Sequence, residues 1–158
     1  MGIKWYLAQI NIAKTIGVNI HDPIMAKFVA QLDEVNALAE GSPGFIWRLK
    51  DDSNNATSIN PYNDERIIVN MSVWESLDHL QQFVYHGKHA EVLRQKRDWF
   101  VNFGRPFSAL WYVAVGNYPT VEDAVDRLKS LQENGPTPYA FDFKTKFAAP
   151  SAPIENIA

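Results

Sequence analysis

Apolar and polar positions alternate with a period of two along four stretches of this chain, and with helical spacing along the segments between them. Ile3–Ile12 reads as a strand, with Trp5, Leu7 and Gln9 on one face and Tyr6, Ala8, Ile10 and Ile12 on the other. After Gly17 and a loop, Asp22-Pro23 supplies an N-cap and a proline at the first helical position, where a missing N–H costs nothing. Phe28, Leu32, Val35, Leu38 and Ala39 continue at helical spacing to a stop at Gly41. Ser42-Pro43-Gly44 turns the chain into a second strand, Phe45–Leu49. Its alternation puts Phe45, Trp47 and Leu49 on one face, Ile46 and Arg48 on the other. Turn chemistry at Asp51–Asn55 predicts a short hairpin arm over Ala56–Asn60.

Arg66–Trp74 is the third strand, and Ser76 caps a helix carrying Leu77, Leu80, Phe83 and Val84. Gly87 breaks that helix, and a second helical piece carries Val92, Leu93, Trp99 and Phe100 before Arg105-Pro106 ends it. Ala109–Val115 is the fourth strand. Thr120 opens a last helix, with Asp123 at the capping-box position and a stripe of Val121, Ala124, Val125, Leu128 and Leu131. Ala140–Phe143 is expected as a short edge strand.

The order βαββαβ with an added C-terminal helix is that of a ferredoxin-like α+β module. One domain is expected over residues 1–146, followed by an Ala/Pro-containing tail over 147–158. The third and fourth strands are apolar on both faces. Helices cover one face of such a sheet, and a second copy of the sheet is the simplest cover for the other. That predicts a two-fold symmetric homodimer, a dimeric α/β barrel.

Composition narrows the chemistry. The net charge of −3 gives no general attraction to nucleic acid or anionic lipid, so neither is an expected partner. No apolar run approaches membrane-spanning length and the N-terminus lacks a signal-peptide core, so a cytoplasmic protein is expected. The absence of cysteine excludes disulfides, thiolate metal sites and cysteine nucleophiles. No phosphate-binding glycine loop, GxSxG elbow or HExxH motif is present. Aromatic residues make up 13% of the chain, enough to build both a core and a pocket for a hydrophobic small molecule.

Candidate chemistry concentrates in Val69–Phe100. His86 and His89 flank Gly87 there. No third ligand stands at a recognisable spacing, so no metal site is expected, and His89 is the candidate base with His86 second. Arg48, a charge on an apolar strand, and Asn11, near the end of the first strand, are candidates to stabilise an enolate-like oxygen. For Arg48 the competing reading is an ion pair with Asp or Glu at a dimer interface. Trp47, Phe83, Tyr85 and Trp99 are the candidate substrate-binding aromatics; packing in the core is the competing reading for them.

The segments AQINIA, SPGFIWRL, NMSVWESLDHLQQFVYHGKHAEVLRQKRDWF, LWYVAVG and TVEDAVDRLKSLQENGPTPYAFDF together resemble an uncharacterised bacterial family, the domain of unknown function 3291. That family is similar to the dimeric α/β-barrel superfamily, which includes antibiotic-biosynthesis monooxygenases and haem-degrading monooxygenases. The resemblance implies cofactor-independent, monooxygenase-like or isomerase-like chemistry on an aromatic or polyketide-type molecule. The alternative it implies is a non-catalytic dimer that binds a small molecule or haem. The haem-degrading members use an Asn on the first strand, a Trp on the helix after the third strand, and a His. Asn11 and His89 fit that pattern, His86 less well, and the Trp position falls near Phe83, a departure from it.

Overall fold

The computed structural model describes residues 4–51, 59–95 and 98–150. Its elements run β1 (Trp5–Lys14), a 3-10 turn (Pro23–Met25), α1 (Ala26–Glu40), β2 (Phe45–Arg48), β3 (Ile67–Trp74), α2 (Leu77–Tyr85), α3 (Gly87–Arg94), β4 (Ser108–Ala114) and α4 (Val121–Asn134). The strands form one antiparallel sheet in the order β2-β3-β1-β4, the ferredoxin-like arrangement expected from the chain order. Helix starts follow local chemistry. The side chains of Asp22, Ser76 and Thr120 accept hydrogen bonds from the N–H groups of Ile24, His79 and Asp123. Gly135 ends α4 at φ 76°, a conformation that favours glycine.

The two faces of the sheet are closed differently. On one, Ala8, Ile10, Ile12, Val69, Met71, Val73, Ala109 and Trp111 pack with Ala124, Leu128 and Leu131 of α4. Every one of these is at most 4% exposed within a single chain. Burying each leucine of that stripe contributes roughly 1.5–3 kcal/mol. The added C-terminal helix therefore occupies the face for which a second copy of the sheet was the expected cover. On the other face, Leu7, Trp74 and Leu110 pack with Ala39 of α1, Leu80 of α2 and Phe141.

Tertiary structure corrects several local readings. Phe45 and Trp47 were expected on one face, but an irregularity in the β2–β3 register between them puts Trp47 on the α4 side while Phe45 meets Trp74 edge-on. The second helical piece stops at Arg94. Trp99 and Phe100 lie beyond it because their backbone pairs with the chain just after β1: Ile16 N–H donates to the Trp99 carbonyl and Val101 N–H to that of Lys14. Ala140–Phe143 is not a strand. Phe141 makes a single antiparallel bridge to Leu110, with N–H···O distances of 2.8 and 2.9 Å. Beyond it, Phe147 lies against Phe141 and its carbonyl accepts from the Tyr112 hydroxyl at 2.8 Å. The hairpin arm expected at Ala56–Asn60 lies largely outside the described residues.

Candidate functional site

Between the sheet and helices α1, α2 and α3 lies a cavity of about 550 Å³. Its floor is set by strand alternation and register. On β1, Gln9 and Asn11 follow Leu7 on the same face; on β3, Asn70 and Ser72 precede Trp74. Pairing then sets Gln9 opposite Ser72 and Asn11 opposite Asn70, while Arg48 of β2 faces Ser72 and Ser108 of β4 faces Asn11. A polar lane thus crosses the sheet at the cavity, flanked by apolar residues on the same face.

This lane is hydrogen-bonded in one direction. Gln9 Nε2 donates to Asn70 Oδ1 at 2.6 Å and to Ser72 Oγ at 2.9 Å. Ser72 Oγ also accepts from Trp74 Nε1 at 2.8 Å. Gln9 thereby uses both amide hydrogens, and the NH2 group of the exposed Asn70 has no partner among the described residues. The Asn11 amide also has no hydrogen-bond partner among the described residues. Arg48 is buried, and its Nε donates to Glu40 Oε2 at 2.9 Å. The ion pair expected for it is therefore made within the chain, to the last residue of α1.

The opposite wall is apolar, built from residues such as Phe28, Leu32 and Val35 of α1 and Leu80, Phe83 and Val84 of α2. His89 of α3 enters this wall with its ring 4.9 Å from that of Phe83. Gly87, at φ 66°, breaks the helix just before it. The break leaves the Val84 carbonyl without the helical partner it would otherwise have, and His89 Nδ1 lies 3.1 Å from it. A carbonyl only accepts, so Nδ1 carries the proton and Nε2 keeps its lone pair. Burial holds the His89 pKa below the ordinary histidine value, against the opposing effect of the Val84 hydrogen bond. At neutral pH the ring is an uncharged base with a set tautomer.

Of the residues nominated from the sequence, Asn11, Arg48, Phe83 and His89 meet at this cavity. The other nominees do not line it. His86 takes an extended conformation after α2 and is exposed. Tyr85 is half-exposed, edge-on to Phe143. Trp47 stacks on Tyr118 on the α4 side. Trp99 is buried against Phe28 and Phe100. Gln9, Ser72 and Gln31 were missed; for the first two, the signal was polar residues two apart on an otherwise apolar face. Among the described residues no group of three or more His, Asp or Glu side chains could hold a metal ion. No helix among them is long and apolar enough to cross a membrane.

The model of the family described as Domain of unknown function (DUF3291) matches residues 6–156. The chain belongs to this family. No curated protein matches this DUF3291 chain. Solved structures similar to it include NE2512, a protein of unknown function from Nitrosomonas europaea, at 12% identity and TM-score 0.47, covering 75% of this chain and 97% of that one. Another is SnoaB, a cofactor-independent oxygenase from Streptomyces nogalater, at 14% identity and TM-score 0.42, covering 73% and 96%. A third is PA3566 from Pseudomonas aeruginosa, at 9% identity and TM-score 0.47, covering 75% and 100%. At these scores the likenesses say nothing of this chain's chemistry.

Proposed function

We propose that the DUF3291 chain binds a hydrophobic aromatic or polyketide-type molecule in this cavity and removes a proton from it with His89. The observation that carries this reading is an uncharged histidine with Nδ1 committed to Val84, set in an apolar wall across from unpartnered amide donors. Nε2 takes the proton from a carbon next to a ketone, or from a phenol, and the electron pair moves onto oxygen. The Asn11 and Asn70 amides stabilise that enolate-like oxygen by donating to it. Arg48, held by Glu40, lies beside them at the edge of the polar lane. Reprotonation at another carbon completes an isomerisation. Alternatively, the enolate reacts with molecular oxygen as co-substrate: one oxygen atom enters the product, the other leaves as water, and no cofactor takes part.

A panel of anthrones, naphthols and polycyclic ketones, followed by absorbance and oxygen uptake, tests the reading with wild type and His89→Gln. Loss of about a hundredfold or more in turnover is the expected outcome. Equal turnover in both proteins removes His89 from the mechanism.

The second reading, binding without turnover, is favoured by how much of the polar floor is already paired within the chain. Haem suits it poorly. Two propionates call for cations, and Arg48 is the one Lys or Arg among the described lining residues, already paired with Glu40. An uncharged ligand fits the lining better.

A further inference from the structure

One polar atom of the cavity wall is unexplained by the chemistry above. Helix α1 presents Phe28, Leu32 and Val35 to the cavity, and Gln31 lies in the same stripe. Its Oε1 is buried and has no hydrogen-bond partner among the described residues. Buried side-chain acceptors are nearly always satisfied, and this one sits on a cavity-lining side chain, where a turn of the amide toward the cavity lets a ligand donor restore the missing bond. The floor offers the reverse polarity, through the amide N–H groups of Asn11 and Asn70. A molecule spanning the cavity therefore meets donors at the sheet and an acceptor on α1.

We infer that Gln31 is a specificity-determining residue that accepts a hydrogen bond from a ligand hydroxyl, so that the cavity selects hydroxylated aromatic molecules over their O-methylated counterparts. This rests on the cavity being the ligand site. A methoxy group at the same position keeps the oxygen and the aromatic surface but has no hydrogen to give. Binding it leaves Gln31 Oε1 buried and unpaired, and a site built around a hydrogen bond discriminates against a ligand that cannot make it.

The test uses 1-naphthol and 1-methoxynaphthalene, titrated into the full-length protein by calorimetry and by quenching of tryptophan fluorescence. Wild type, Gln31→Leu and Gln31→Met are compared, the last two being apolar replacements of similar size so that one suffices if the other folds poorly. Wild type is expected to prefer 1-naphthol by about tenfold, the worth of one neutral hydrogen bond. In either variant the preference falls to within about twofold through weaker 1-naphthol binding, with 1-methoxynaphthalene unchanged. A preference that survives in the variants, or is absent in wild type, overturns the role of Gln31 and leaves the cavity as a ligand site. Loss of both probes in the folded variants makes Gln31 structural and overturns the inference too. If neither probe binds wild type, the cavity reading fails and the inference with it.

Discussion

The two faces of the sheet are built from the same strands and finished in opposite ways. On the α4 side, alternate residues of β1, β3 and β4 are apolar, and the central ones, from Ala8 and Ile10 to Met71, Val73 and Trp111, are at most 4% exposed. On the helical side, the same strands switch partway from apolar to amide and hydroxyl side chains, and the space above them stays open. Tight packing on one side makes the sheet a rigid platform. A rigid platform is what allows polar groups on the other side to be held in place without packing of their own.

If this division is right, the two faces answer differently to substitution. Trp111→Ala removes the largest fully buried side chain of the α4 face and is expected to cost about 3–5 kcal/mol in urea unfolding. The helix that closes that face matters less at its end: Thr120→Ala loses the N-cap of α4, at about 1 kcal/mol in the same assay. On the cavity side, Asn11→Leu exchanges an unpartnered amide for an apolar group of similar size. Stability should change by no more than about 0.5 kcal/mol while turnover falls. A large loss of stability there would make the polar lane a structural element.

The cavity side also responds to acid. The folded pKa of His89 lies below its unfolded value of about 6.5, so the unfolded chain binds the proton first as pH falls. Its contribution is fully present above about pH 6.5 and is lost as pH falls through the folded pKa. His89→Gln should flatten this part of the stability–pH curve, measured by urea unfolding at a series of pH values. An unchanged slope would mean that the ring titrates as it does in water.

Oligomeric state bears on the other face. With α4 in place, sheet-on-sheet pairing of two copies would require that helix to leave. Sedimentation equilibrium tests this: the mass of one chain, 18.0 kDa, agrees with α4 as the cover of that face. A species of twice that mass would reopen the pairing that the apolar strands suggested.

Much of this architecture was legible in the chain. Alternation marked β1, β2, β3 and β4, and Asp22, Ser76, Thr120 and Gly41 marked helix ends, because each acts on its own neighbours. The stripe on α4 showed that the helix must bury a face but carried no information on which surface would receive it. The β2 register shift was hidden for the same kind of reason, since it separates Phe45 from Trp47 only by reference to β3. His89 and Asn11 stood out by residue type, whereas Gln9, Ser72 and Gln31 are polar residues of ordinary kinds. Their place in the site comes from cross-strand pairing and from a helix packed far along the chain, neither of which has a local signature.

Gly87 has a consequence for chemistry beyond its own turn. A Cβ there would meet nothing within 4 Å, so its backbone angle alone calls for glycine. That angle, following the extended His86, keeps α2 and α3 from running on as one helix, and so leaves the Val84 carbonyl for His89 to bind. Gly87→Ala, two residues from the ring, should therefore alter the acidity and tautomer of His89 while leaving every cavity side chain chemically intact. The imidazole's protonation state would be written into the backbone of its neighbours, and a ¹⁵N spectrum of the ring would read it.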